Sequence, residues 1–282
     1  MTPRPLALAL PLVAALGASA PALASACPDA GFIEAMAADI LARTPTPAPE
    51  VDTFEDAFCA QAMLVEALSA HWGAPIGWKA GLTSPPAQAN FGVTEPVRGA
   101  LFAEMFLPDG ATLPAAFAAR PLFEADFIVI VGDAAINTAT THAEVMAALD
   151  TLHPFIELPD LVVPAPPELT GPKITAINVG ARLGILGEGI PADPALIDTL
   201  ASMQVTITDQ DGEVLASAPG SAILGHPLNA VLWLRDSGLT LAPGDMLSLG
   251  SFGPLLPPRP GLTATITWEG LPGDPSLSVS FE

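Results

Sequence analysis

The chain has 282 residues, 30 of them acidic against 9 lysines and arginines, and half of its residues are apolar. Its formal charge of −21 sets a field that repels nucleic acid and anionic membrane surfaces. The length suffices for one large domain, or for a domain with an added helical part. The 32 prolines follow no Gly-x-y period and no longer repeat, which excludes collagen-like and solenoid architectures.

Residues 1–26 read as a secretory signal. Arg4 gives a thin positive start, Leu6 to Leu16 an apolar stretch broken by Pro11, and Ala24-Ser25-Ala26 a small-x-small cleavage site. The interruptions and the lack of a stop-transfer flank argue against a permanent span. The expectation is a periplasmic or secreted protein with no stable membrane insertion after cleavage. Cleavage would remove Arg4 and no acid, leaving the mature chain still more negative. Cys27 then opens the mature chain and Cys59 is the one other cysteine. Two cysteines in an exported chain imply one disulfide, tying the N-terminus to a helix.

Residues 30–43 carry Phe32, Met36, Ile40 and Leu41 at helical spacing. A proline-rich linker follows, and then a second helix over 54–72 with Phe58, Met63, Leu64 and Leu68 on one side. Residues 27–75 are thus an N-terminal helical part, and 76–282 form the remainder. In that remainder, 76–81 and 99–102 read as short strands and 84–91 as a helical turn. Residues 122–131 read as a strand ending in a Gly-Asp turn. Thr141, with Glu144 three residues on, caps a helix to Leu149. Residues 155–158 and 174–179 read as strands. Gly184 to Gly189 lacks the dinucleotide fingerprint and reads as a loop. Residues 203–217 form a hairpin around Asp209-Gln210-Asp211-Gly212. His226-Pro227 opens a helix to about Asp236, and 245–250, 262–268 and 277–281 are strands. Short strands with Gly/Pro turns and no regular β–α alternation predict an α+β fold with a rolled or sandwich-like sheet.

Within the strand at 122–131, the period of two puts Glu124 and Asp126 on one face, ahead of Ile128 and Ile130. Two carboxylates side by side in an apolar setting need a proton, a cationic side chain or a metal ion. Glu157, in the run Phe155-Ile156-Glu157-Leu158, could supply a third oxygen to a hard cation such as Mg²⁺ or Mn²⁺. The same pattern also fits the solvent side of an edge strand. His71, His142 and His153 show no ligand spacing, and His226 fits a helix-end contact. No Gly-x-Ser-x-Gly elbow, Cys-x-x-Cys or P-loop occurs.

Several segments line up in order: Gly77-Trp78-Lys79-Ala80-Gly81-Leu82-Thr83, Phe91-Gly92-Val93-Thr94-Glu95-Pro96, Phe123-Glu124-Ala125-Asp126-Phe127, Phe155-Ile156-Glu157, and Leu224-Gly225-His226-Pro227-Leu228-Asn229-Ala230-Val231. Gly250-Ser251 and Arg259-Pro260-Gly261 end the series. Together they resemble the 2-keto-4-pentenoate hydratase family of the fumarylacetoacetate hydrolase superfamily, which includes 2-oxo-hexenedioate decarboxylases. The resemblance runs over about residues 30–282. It implies a mixed β-sandwich-like roll assembled into homo-oligomers, and a Mg²⁺ or Mn²⁺ site with Glu124, Asp126 and Glu157 as ligands. It also implies that Lys79, one of only two lysines, is catalytic. The implied substrate is a small 2-hydroxydienoic or 2-oxo acid, and the implied reaction is hydration. Val97-Arg98 stands where the family often has an Asp, and Asn178-Val179-Gly180 keeps an Asn but loses a hydroxyl. Asn178 and Arg98 are candidate substrate-binding residues, Arg98 for a second carboxylate. The departures keep two alternatives open: a 2-oxo acid decarboxylase on the same metal cradle, and a non-catalytic 2-oxo-acid-binding protein.

Overall fold

The computed structural model describes Met1, residues 27–164 and residues 169–282. The secretory-signal reading of residues 1–26 therefore lies outside the described residues, Met1 apart. In chain order the elements are α1 (Ala30–Ala42), α2 (Phe54–Trp72), β1 (Pro75–Gly81), α3 (Pro85–Asn90) and β2 (Val97–Phe102). Next come β3 (Phe106–Leu107), β4 (Ala111–Leu113), β5 (Glu124–Val131), α4 (His142–Ala147), β6 (Leu149–Leu158) and α5 (Gly171–Ala176). Then follow β7 (Leu183–Leu186), β8 (Ile190–Pro191), α6 (Ile197–Ser202), β9 (Gln204–Thr208), β10 (Val214–Pro219) and α7 (Pro227–Asp236). Strands β11 (Met246–Ser248), β12 (Thr263–Glu269) and β13 (Ser276–Phe281) close the chain.

Two sheets result. The larger has eight strands in the order β2-β1-β11-β5-β6-β7-β3, with β8 paired to β6, and the smaller has the order β10-β9-β12-β13-β4. The main core draws on both: Val129, Ile156 and Leu247 from the first meet Ile207, Ile266 and Val279 from the second, with Val231 and Leu234 of α7. Phe281 sits 5.4 Å from Phe123 and 6.2 Å from Phe117, centroid to centroid. This ring cluster joins the chain end to the residue before β5.

The helical part forms a second core. Ile33, Met36 and Ile40 of α1 and Leu64 and Leu68 of α2 pack with Phe102 of β2 and Ile174 of α5. Helices this short are marginal alone and take their stability from such an apolar face. Gln61 is buried, and its amide donates to the carbonyls of Arg98 (2.7 Å) and Thr175 (2.9 Å), which fastens α2 to β2 and α5. Cys27 and Cys59 form the expected disulfide.

Two expected elements are different in the molecule. Residues 174–179, read as a strand, fall in α5 and a following tight turn. Thr170 caps α5 and Pro172 stands in its first turn, a start signal that outweighs the β-branched Ile174 and Thr175. Residues 184–186, part of the segment Gly184 to Gly189 read as a loop, belong to β7, which pairs with β6. Gly184 suits that strand because a Cβ there would lie 2.2 Å from the ring of Phe155. The missing side chain is what lets the aromatic ring lie across the sheet.

Candidate metal centre

β5 and β6 run antiparallel with Glu124 directly opposite Glu157. Directly opposed residues share a face, and Asp126 follows two positions on, so three carboxylates converge on one side of the larger sheet. Each offers an oxygen within 4.8 Å of the other two. That is within reach of a single cation with ligand distances of about 2.1–2.5 Å. All three are buried, Asp126 completely. Next along the face, Ile128, Phe155 and Met246 form a small apolar cluster that shields it.

Asp126 is fixed from three directions. Its Oδ1 accepts from the backbone N–H groups of Phe127 (2.5 Å) and Gly250 (2.9 Å), and its Oδ2 accepts from the Ser248 hydroxyl (2.6 Å). Ser248 is itself fully buried at the end of β11. Gly250 has φ of 104°, and a Cβ there would fall 2.3 Å from Thr83 Oγ1. The N–H that holds Asp126 thus comes from a backbone position that needs glycine.

Lys79 projects from β1, which pairs with β11, and is 3% exposed. Its ammonium donates to Glu157 Oε1 and to the carbonyl of Val179 (3.1 Å). Val179 has φ of 54° and Asn178 has φ of 56°, a region that β-branched residues rarely adopt. This strained turn is held by Asn178, whose amide accepts from Ala100 N–H (2.7 Å) and donates to Ala100 O (3.0 Å).

The electrostatics are unbalanced. Burial, with the Glu157 carboxylate beside it, drives the Glu124 carboxyl well above its usual range. Burial and the same neighbour push Asp126 up to about 7, against the lowering effect of its bonds from Ser248 and Phe127. Three ionised carboxylates facing one ammonium leave two negative charges uncompensated. A divalent cation supplies the missing charge, and all-oxygen donors are what Mg²⁺ and Mn²⁺ prefer. The residues present therefore fit such an ion, and they correct the edge-strand alternative, since none of the three acids faces solvent.

Lys79 and Glu124 open onto a cavity of ≈ 590 Å³ walled by Leu82, Leu161, Ile174, Phe252 and Leu255. Asn178 and Arg98 do not line it. Both amide ends of Asn178 are spent on Ala100. Arg98 Nη1 donates to the carbonyl and hydroxyl of Ser237, and its guanidinium lies 4.7 Å over the Phe58 ring. Both side chains, expected to contact substrate, are bonded to other partners here. One clamps the turn that presents Val179 O, and the other is drawn away by Ser237 and Phe58. His226 is the N-cap of α7, its Nδ1 accepting from Leu228 N–H (3.0 Å). Sequence reasoning missed Ser248. A lone hydroxyl in the run Met246-Leu247-Ser248-Leu249 was the available signal.

No family model matches the chain. It is 31% identical over 223 residues to the 2-keto-4-pentenoate hydratase of Paraburkholderia xenovorans strain LB400, covering 76% of this chain and 81% of that one. Among solved structures it is similar to 4-oxalocrotonate decarboxylase from Pseudomonas putida G7, complexed with magnesium and adipate. That match has a TM-score of 0.77 and 26% identity, over 90% of this chain and 97% of the other. Fumarylpyruvate hydrolase from Pseudomonas aeruginosa, in complex with Mn²⁺ and pyruvate, shares the fold alone, with a TM-score of 0.56 and 14% identity over 73% of this chain and 89% of that one. The α+β fold is thus of the fumarylacetoacetate hydrolase type. No described helix is long and apolar enough to cross a membrane.

Proposed function

The chain belongs to the 2-keto-4-pentenoate hydratase family, and we propose that it is a divalent-metal-dependent hydro-lyase acting on a small 2-hydroxydienoic or 2-oxo acid. The observation that carries this reading is the buried, charge-unbalanced trio Glu124, Asp126 and Glu157, with Lys79 bonded to it at the wall of a cavity. The three carboxylates would hold Mg²⁺ or Mn²⁺. When bound, the ion supplies Lewis acidity toward the vicinal ketone and carboxylate oxygens of a 2-oxo acid.

The chain's own residues do the rest. Ser248 and the Gly250 N–H keep Asp126 in one orientation, which leaves a lone pair of Oδ2 for the ion. The apolar walls exclude water and strengthen each charge inside. Lys79 is the group that can hold or move a proton: its Nζ is anchored by Glu157 and Val179 O, and its side chain borders the cavity. Protonated, it attracts the substrate carboxylate or delivers a proton to carbon; neutral, it accepts one.

A decarboxylase on the same residues is the second reading, supported by the similarity to 4-oxalocrotonate decarboxylase. Product analysis by NMR separates the two. With Mg²⁺ and a 2-hydroxydienoic acid, the hydratase reading expects a 4-hydroxy-2-oxo acid, formed by water adding to the conjugated enone. It also expects that product to vanish in Lys79→Met and Glu124→Gln. CO₂ release from 4-oxalocrotonate without hydration would replace it by the decarboxylase. Metal-dependent binding without any turnover would leave a binding protein. We further infer export to an oxidising compartment, which the signal-like residues 1–26 and the Cys27–Cys59 bridge support. Homo-oligomer assembly is inferred from the family resemblance, and light scattering tests it.

A further inference from the structure

Helices α4 and α7 meet through two histidines. The His142 and His226 rings stack with centroids 4.0 Å apart and planes 28° from parallel. His226 is 8% exposed and caps α7. Its hydrogen-bond partners fix its charge. Nδ1 accepts from Leu228 N–H (3.0 Å), and Nε2 lies 2.9 Å from the carbonyl of Ile197, which can only accept. The ring therefore carries its one proton on Nε2 and is neutral. His142 Nε2 lies 2.7 Å from Asn229 Oδ1, and the Asn229 amide in turn donates to Leu224 O (2.8 Å).

The surroundings resist a second proton on His226. Burial and the neighbouring His142 ring hold it below the usual imidazole range, against the attraction of Asp198 on α6 and the bond to Ile197 O. The other charged groups nearby are spent elsewhere. Glu144 of α4 accepts from Thr140 and Thr141, Asp193 before α6 accepts from Ala195 N–H, and Lys79 of β1 is bonded to Glu157. α7 carries no charge before Arg235 and Asp236, which pair with each other. A proton on Nδ1 would remove the lone pair that receives Leu228 N–H. It would also set a positive charge at the positive end of the helix dipole.

The turn behind this cap is strained and reaches the cavity. Leu224 has φ of 48°, a region that costs a residue with a side chain. It is held there by the Asn229 amide on its carbonyl and by its own N–H to Thr83 O (3.0 Å). Thr83 and Ala222 line the cavity onto which Lys79 and Glu124 open.

We propose that His142 and His226 form an acid-sensitive latch: protonation of His226 uncaps α7, parts the rings that join α4 to α7, and loosens the Leu224 turn that backs the cavity wall at Thr83. In the opened state His226 meets water and takes a proton as an ordinary imidazole does, whereas in the closed state it resists. The closed state is thus fully favoured above 6.5, the ordinary value. It loses ground as pH falls below that, by at most about tenfold per pH unit for one proton. The sign is opposite to that of Asp126, whose raised value makes its contribution fall as pH rises.

Backbone amide exchange of the protein, followed by NMR and corrected for intrinsic rates, reads the latch residue by residue. The Leu228 and Leu224 amides should lose protection together, severalfold between about pH 7 and pH 5 and at most about tenfold per pH unit. In His226→Asn the asparagine caps a helix equally well but does not titrate, so both amides should lose this pH dependence. His142→Gln keeps a donor for Asn229 and removes the second ring, so the fall should become smaller. The Cε1–H resonance of His226 in wild type gives an independent reading, with a midpoint expected below 6.5. Flat protection in wild type, a fall that persists in His226→Asn or is undiminished in His142→Gln, a fall at Leu228 that Leu224 does not share, or a His226 midpoint at or above 6.5 would overturn the proposal.

Discussion

Asp126→Asn isolates the strain that the buried carboxylates place on the metal-free protein. Asparagine keeps the size of the side chain and an oxygen for the N–H groups of Phe127 and Gly250, but it cannot ionise. The Asp126 carboxyl is pushed from an ordinary 3.8 to about 7. Between those values the folded protein holds a proton that the unfolded chain releases, so this group's contribution to stability falls as pH rises. The full effect is about three pH units, or on the order of 4 kcal/mol. Over the measurable window from pH 5.5 to 8 it is about 2 kcal/mol, because the loss is complete once the pH passes about 7. Urea unfolding of both proteins in EDTA measures it, with titrating groups remote from Asp126 cancelling in the difference and the neighbouring Glu124 titrating along with it. Relative to Asp126→Asn, wild type should lose about 2 kcal/mol between pH 5.5 and 8. Mg²⁺ at a hundredfold excess over its Kd should then return about 2.7 kcal/mol to wild type and nothing to the variant. A wild-type advantage that is constant or grows with pH would refute the reasoning.

Three further outcomes follow from the same geometry. Glu157→Gln takes away the carboxylate paired with the buried Lys79 ammonium, leaving it the Val179 carbonyl and a neutral amide oxygen, with Glu124 and Asp126 nearby. It should destabilise the protein by about 3–5 kcal/mol, measured by urea unfolding, the opposite sign to Asp126→Asn at pH 8. Ser248→Ala removes the hydroxyl on Asp126 Oδ2 and should weaken Mn²⁺ binding by about 10–100-fold, read by calorimetry, with the fold kept as judged by circular dichroism. Cys59→Ser opens a bridge between residues 32 apart and should lower unfolding free energy by about 3–4 kcal/mol in the chain-entropy account, with Mn²⁺ affinity unchanged because the bridge joins no metal-site element.

The acidic trio was legible because a strand's period of two is independent of its partners: Glu124 and Asp126 share a face in any sheet. That Glu157 stands opposite Glu124 was not legible, because register is a non-local property set by the β5–β6 pairing. Lys79 stood out through its rarity and its glycine neighbours. Its bond to Val179 O depends on a left-handed turn at Asn178 and Val179, which no local signal announces for a β-branched residue. Asn178 matches a family Asn and Arg98 stands where the family often has an Asp, but sequence does not show which way a side chain is pulled. Ser237 and Phe58 draw Arg98 from positions 139 and 40 residues away in the chain. The helix α5 was hidden by its six-residue length, too short for a helical period to emerge from two β-branched residues. β7 was hidden by Gly184, which makes room for the cross-strand Phe155 ring rather than for a loop.

The central claim is that Glu124, Asp126 and Glu157 form one divalent-cation site. Titration of Mn²⁺ into the EDTA-stripped, dialysed protein at pH 8, followed by calorimetry and by the electron paramagnetic resonance of free Mn²⁺, tests it directly. The account expects one Mn²⁺ per chain, displaced by Mg²⁺, and no saturable site in Glu124→Gln. Saturable binding that survives Glu124→Gln and Asp126→Asn, or no binding to wild type, would contradict it.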